Sequence, residues 1–131
     1  MTAITVSDIF ITVTVINING GIKLRDNAKS GALTEVTFFV LLSLYEPKHG
    51  YGIMQFIENK TQGRLILGAG SLYGAINNLQ SKNWIMPVGD DTGRKKEYII
   101  TNVGKEIVNL EINRLQELVC IATDIVGGII Q

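Results

Sequence analysis

Four interruptions constrain this chain more than any other feature: an Asn/Gly patch at residues 17–21, Pro47, a turn at Gly68–Gly70 and a loop at Gly89–Gly93. Each favours a reversal or a stop over a continuing helix or strand, so the chain folds as a series of short elements, with no internal repeat or low-complexity tract. A length of 131 residues suits one domain around a single core.

The periodicity between the interruptions says what those elements are. Leu33 to Tyr45 is apolar on most sides and is stopped by Pro47, the pattern of a helix buried in a small core. Gly50 to Lys60 carries Ile53, Phe56 and Ile57 at helical spacing beside polar Glu58, Asn59 and Lys60, a short amphipathic helix, and Thr61 to Arg64 is a turn. A third helix is expected from Ser71 as its N-cap, because Leu72, Ala75, Ile76 and Leu79 recur at i, i+3, i+4 and i+7. At about 100° per residue, Gly74, Asn77, Asn78 and Ser81 point away from that stripe. The third helix therefore offers solvent small groups and amides rather than a skirt of charge.

Trp84 to Val88 and Glu97 to Ile100 read as two strands joined by the polar tip Gly89 to Lys96, which ends in Arg94, Lys95 and Lys96. Thr101 caps a final helix in which Val108, Ile112, Leu115, Val119 and Ala122 form a heptad-like seam, with Ile107, Leu110 and Leu118 beside it. Gly127-Gly128 is expected to end that helix. The core of so small a domain is already supplied by three other helices, so this stripe needs a partner, and the expectation is a homodimer through Val108, Ile112, Leu115, Leu118, Val119 and Ala122. The resulting organisation is an N-terminal extension over residues 1–30, a domain over 31–101 and a C-terminal helix over 102–126.

The extension is the odd part. Ile9 to Ile18 is apolar and β-branched, but it is half the length of a membrane span, which takes roughly 20 residues. Asp8 precedes it where a secretory signal carries Lys or Arg, so neither a membrane span nor an export signal is read. Two readings stay open, an extra strand paired somewhere on the domain and leader sequence from a start codon set too far upstream.

Charge and residue counts exclude several functions. Lys plus Arg and Asp plus Glu total 12 each, which rules out bulk attraction to a polyanion; affinity for nucleic acid must come from local arrangement. A lone His49 and a lone Cys120 leave no paired ligands for structural zinc and no internal disulfide, as fits a reducing cytoplasm. No metal, cofactor or catalytic residue is expected, since no acid–base pair or activated nucleophile can be assembled.

Three helices followed by a hairpin is the order of a winged helix-turn-helix, mainly α with a small β-hairpin, whose third helix enters the DNA major groove while the hairpin reaches backbone or minor groove. The residue chemistry suits it. Asn pairs with adenine, Ser and Tyr hydroxyls reach phosphates, and Arg and Lys on a tip neutralise phosphate charge. From Ser71 to Tyr98 four cations (Lys82, Arg94, Lys95, Lys96) face three acids (Asp90, Asp91, Glu97), so affinity per monomer is modest and two copies on one duplex are needed. The candidate DNA-binding set is Ser71, Tyr73, Gly74, Asn77, Asn78, Lys82, Arg94, Lys95 and Lys96. The rival reading is a winged-helix module that binds another protein.

Three linked motifs, Pro47-Lys-His-Gly-Tyr-Gly-Ile53, Gly70-Ser-Leu-Tyr-Gly-Ala-Ile-Asn-Asn-Leu79 and Gly93-Arg-Lys-Lys-Glu-Tyr-Ile-Ile-Thr-Asn-Val-Gly104, make the chain from about Leu33 to Leu118 resemble the PadR-like transcriptional regulators. The resemblance implies a dimeric winged-helix repressor on a palindromic DNA operator, dimerised by its last helix and often released by a small-molecule inducer. It puts Ser71, Tyr73, Asn77 and Asn78 at recognition-helix positions and Arg94, Lys95 and Lys96 in the wing. Two residues depart from the family's pattern: Asn78 stands where many members carry Lys or Arg, and Glu97 where many carry a second aromatic. The last helix is also short, as in the smaller branch of the family.

Bland readings stand beside these. Arg94-Lys95-Lys96 out of context is a solvated loop. Gly68 to Gly74 has the spacing G-x-G-x-x-x-G, with no β-α-β unit to make it a nucleotide loop. His49 is a turn or helix-start residue, Trp84 packs on the core or a strand, and Cys120 is most simply a small buried hydrophobe, with an intermolecular disulfide as its redox alternative.

Overall fold

The computed structural model describes residues 31–89 and 96–130, with side chains as far as 127; the expectations for the extension over 1–30 and for Arg94 and Lys95 fall outside the described residues. Two units are distinguished, Leu33–Val108 and one that takes in the final helix from Asn109 on.

The first unit is built by α1 (Glu35–Ser43), β1 (Lys48–His49), α2 (Gly50–Lys60), α3 (Ala69–Ser81), β2 (Ile85–Val88), β3 (Glu97–Ile100) and the start of α4 (Asn102–Ile130). Thr34 caps α1, its hydroxyl accepting from the Thr37 amide at 3.1 Å. The helix stops at Ser43 rather than Tyr45 and turns through Leu44 before Pro47. Val40, Leu41 and Leu44 are fully buried, and buried Ser43 satisfies its hydroxyl on the Val40 carbonyl at 2.7 Å. Ile53 and Ile57 of α2 and Leu72, Ile76 and Leu79 of α3 complete this core. Each such side chain contributes roughly 1.5–3 kcal/mol by leaving water.

α2 has the bounds its periodicity predicts. It ends on a left-handed residue, Gln62 at φ 53°, with the Gly63 amide donating to Glu58 and the Gln62 amide to Asn59. α3 ends the same way on Asn83 at φ 62°, with the Trp84 amide donating to Leu79 and the Asn83 amide to Gln80. Both are Schellman closures, which satisfy the last carbonyls of a helix.

Three corrections concern element ends. α3 begins at Ala69 with Gly68 as its cap, not at Ser71: the Leu72 amide donates to the Gly68 carbonyl at 3.0 Å, which closes the first turn around Ser71 and leaves its hydroxyl outside the capping position. A third strand, β1, joins the expected hairpin in the order β1-β3-β2, with Lys48 opposite Tyr98 and His49 opposite Glu97. His49 thus ends a strand and also caps α2. α4 continues through Gly127-Gly128 to Ile130, 29 residues in all. Glycine weakens a helix interior by about 1 kcal/mol without forbidding it.

The sheet alternates as a half-buried sheet should: Ile85, Tyr98 and Ile100 face the core while Met86 is exposed and Glu97 and Ile99 half-buried. Pro87 sits on edge strand β2, where a missing N–H costs no ladder bond. Thr101 caps α4 as its sequence predicts, accepting from the Gly104 amide at 3.0 Å and donating to the Asn83 carbonyl at 2.7 Å. Gly104 has no alternative: a Cβ there would fall on the Trp84 carbonyl oxygen and within 2.7 Å of Ile100 Cγ1.

Two further expectations fail on α4. Val108, assigned to an intermolecular seam, is buried in the core of the first unit with Ile107 packed on it, because the opening turns of α4 belong to that unit. Cys120 is exposed rather than buried; every residue from 117 to 126 is exposed, so no face of the helix there is covered to receive it.

Candidate nucleic-acid interface

The geometry of α3 follows from its stripe. Leu72, Ile76 and Leu79 are fixed in the core, which turns Ser71, Tyr73, Gly74, Asn77 and Asn78 to solvent. The helix, Ala-Gly-Ser-Leu-Tyr-Gly-Ala-Ile-Asn-Asn-Leu-Gln-Ser, has no charged residue. The side-chain amides of Asn77 and Asn78 enter no hydrogen bond among the described residues, while Ser81 spends its hydroxyl proton on the Asn78 carbonyl at 2.7 Å. An added Cβ at Gly74 would meet nothing within 4 Å, so the outward face is open and shallow.

Tyr73 is the exception to that flatness. It is half-exposed, yet its phenol leans over the start of α2, where a Cβ on Gly50 would lie 2.7 Å from Tyr73 Oη and 3.1 Å from Leu72 Cδ2. Only glycine admits this approach without displacing the ring. The Tyr98 phenol is pushed above its ordinary pKa by burial, with the neighbouring Tyr73 adding to the rise, so the hydroxyls of α3 and β3 converge on the same corner.

No cation lies within the helix itself. Lys82, the C-cap of α3, is exposed and carries its ammonium 4.7 Å from the centre of the Trp84 ring, a cation–π contact that orients the side chain. Trp84 itself is half-buried against the core. Lys96 is exposed just ahead of β3. Sequence reasoning passed over Tyr51 and Gln55, exposed one turn apart on α2, with Gln55 Nε2 donating to Tyr51 Oη at 3.1 Å. The signal was available in the Gly50-Tyr51 motif, since a solvent-facing aromatic hydroxyl at a helix start is a phosphate donor by chemistry.

Among the described residues, no group of three or more His, Cys, Asp or Glu could hold a metal ion, and no helix is long and apolar enough to cross a membrane. The ion pair of Glu35 with Arg64 ties the start of α1 to the turn after α2; hydrogen bonding from Arg64 holds the Glu35 carboxyl below its usual range. It lies on the surface and supports the fold only.

The profile of the transcriptional regulator PadR-like family matches residues 39–109, from α1 to the opening of α4. The chain belongs to the PadR-like family. The family is one of transcriptional regulators, and the winged-helix architecture is shared with solved structures. The match to a PadR family transcription regulator from Clostridium difficile has a TM-score of 0.60 at 19% identity, covering 72% of this chain and all of that one. A PadR family regulator from Eggerthella lenta matches with a TM-score of 0.56 at 21% identity, covering 92% of this chain and 97% of that one. At these identities the likeness is one of fold. An uncharacterised 37.1 kDa protein of a Streptomyces fradiae transposon is 34% identical over 85 residues, 64% of this PadR-like chain and 24% of that protein. The chain thus spans about a quarter of the length of that relative.

Proposed function

We propose that this PadR-like chain is a homodimeric, sequence-specific repressor that acts in the cytoplasm without enzymatic activity, binds a palindromic operator and is released by a small-molecule inducer. The observation that carries the reading is α3 itself, anchored by three buried side chains and presenting an uncharged, hydrogen-bonding outward face, with exposed Lys82 as its C-cap. In this reading Ser71, Tyr73, Gly74, Asn77 and Asn78 enter the major groove, and Lys82, Arg94, Lys95 and Lys96 meet phosphates. Tyr51 joins them as a phosphate donor.

Dimerisation rests on α4. Ile112, Leu118, Val119, Ile121, Ile125 and Val126 are exposed, a run of apolar side chains that water does not stabilise. Leu115 and Ala122 complete the seam, whereas Val108 is excluded from it by its burial. With a net charge of zero, a single copy holds DNA weakly, and two copies gain from effective concentration. A dimer making on the order of six phosphate contacts loses about 10³-fold in affinity between low and moderate salt.

The test is fluorescence anisotropy of the purified chain on the DNA upstream of its own gene, at two salt concentrations with unrelated duplex as competitor. Nanomolar, competitor-resistant binding supports the reading. Binding that competitor removes entirely, together with no retention on heparin, replaces it with a winged-helix module for a protein partner.

A further inference from the structure

We infer that α3 reads adenine·thymine pairs and is unable to read guanine, with Asn77 and Asn78 as the specificity-determining residues. This rests on the DNA-binding reading above and adds to it the base class of the half-site.

The argument is one of donor and acceptor patterns. Guanine presents two acceptors, N7 and O6, to the major groove and is read by the paired donors of Arg or Lys; adenine presents the N7 acceptor and the N6 donor, which an Asn amide matches with its own donor and acceptor. No residue of α3 carries a cation. The nearest one, Lys82, lies at the end of the helix with its ammonium held over Trp84. Of the other polar groups on the helix's exposed face, the Ser81 hydroxyl donates within the helix, and the single hydroxyls of Ser71 and Tyr73 lack the paired donors that match guanine N7 and O6. The side-chain amides of Asn77 and Asn78 are both exposed, and neither enters a hydrogen bond among the described residues. Ala69, exposed at the start of the helix, offers a methyl-sized contact to the thymine methyl and nothing to a G·C pair.

A second consequence separates readout from attraction. With no charge on α3, substitutions there change which sequence is bound and leave the salt dependence alone, while loss of Lys82 or Lys96 flattens the salt dependence and leaves the preferred sequence alone.

The experiment selects bound duplexes from a randomised library with the full chain, then measures anisotropy on the selected duplex with each purine replaced in turn by its 7-deaza analogue, which lacks the N7 acceptor. The expected result is a loss of about 5- to 150-fold at one or two adenines per half-site and none at guanines. Asn77→Ala and Asn78→Ala, both at exposed positions that leave the core intact, remove the sensitivity at those adenines without altering the salt slope. Asn78→Arg moves the selected base at one position from adenine to guanine. Specific binding that is lost on guanine replacement, or is unmoved by both alanine variants, overturns the inference while the regulator reading stands. A folded chain that enriches no sequence overturns the regulator reading and this inference together.

Discussion

α3 and α4 are written in the same code, apolar residues every three or four positions, and spend it differently. α3 delivers Leu72, Ile76 and Leu79 to a core within its own unit and shows solvent small and amide groups and the Tyr73 phenol. α4 buries Val108 near its start and then carries Ile112, Leu118, Val119, Ile121 and Ile125 into water. A hydrophobic stripe reports that a surface must be covered, and not what covers it. The first helix is satisfied within its own unit; the second leaves its stretch from 117 to 126 exposed.

The sharpest way to break this contrast is to cut the same type of side chain from each helix. Ile76→Ala leaves a cavity among fully buried neighbours and is expected to lower the unfolding free energy by about 2–5 kcal/mol, read by urea titration followed by circular dichroism. Next in size is the junction where α4 starts. Gly104→Ala forces a methyl onto a backbone carbonyl that has no rotamer to escape into, and a loss of about 1–3 kcal/mol is expected in the same titration; an unchanged midpoint would show that the approach is looser than the structure has it. On the far part of α4 the outcome inverts: Val119→Asp is expected to leave the secondary structure of the first unit intact and to shift sedimentation from dimer to monomer at micromolar concentration, with operator affinity falling alongside. If it instead unfolds the chain, α4 is as much a core helix as α3.

Smaller effects refine the picture of how the helices end. Gln62 occupies a left-handed position at φ 53°, where glycine carries no Cβ penalty, so Gln62→Gly should stabilise by up to about 1 kcal/mol in a thermal melt. The smallest effect is electrostatic. Because Arg64 lowers the Glu35 pKa in the folded state from 4.5, the pair supports folding above that unfolded value and its support fades as pH falls through the folded one. Arg64→Ala should therefore reduce stability at pH 7 by a small margin that vanishes at low pH.

Where a local rule sufficed, the sequence was legible. The bounds of α2, the inward stripe and outward amides of α3, both hairpin strands and the Thr101 cap all follow from periodicity and capping chemistry. What escaped was decided at a distance. β1 is two residues between Pro47 and Gly50, too short for an alternating pattern, and exists because Tyr98 and Glu97 lie opposite it in the sheet. The start of α3 went to Gly68 because a backbone hydrogen bond there outcompeted the capping hydroxyl of Ser71. Val108 was indistinguishable by spacing from Ile112, although one lies in the core and the other in solvent. In the candidate site the face of α3 could be read residue by residue, while the stacking of Lys82 on Trp84 and the lean of Tyr73 over Gly50 needed the third dimension.

One corner of the fold fixes the count of residues along the chain. Trp84 donates its amide to Leu79 and accepts from the Thr101 amide at 2.9 Å, while the Thr101 hydroxyl binds Asn83. Three elements meet there with a single residue, Thr101, between β3 and α4, and the few residues after Ser81 already committed to closing α3. There is no spare length to take up. One residue inserted or deleted here would slide the bonds out of register together, so chains that share this corner must accommodate any difference in length elsewhere.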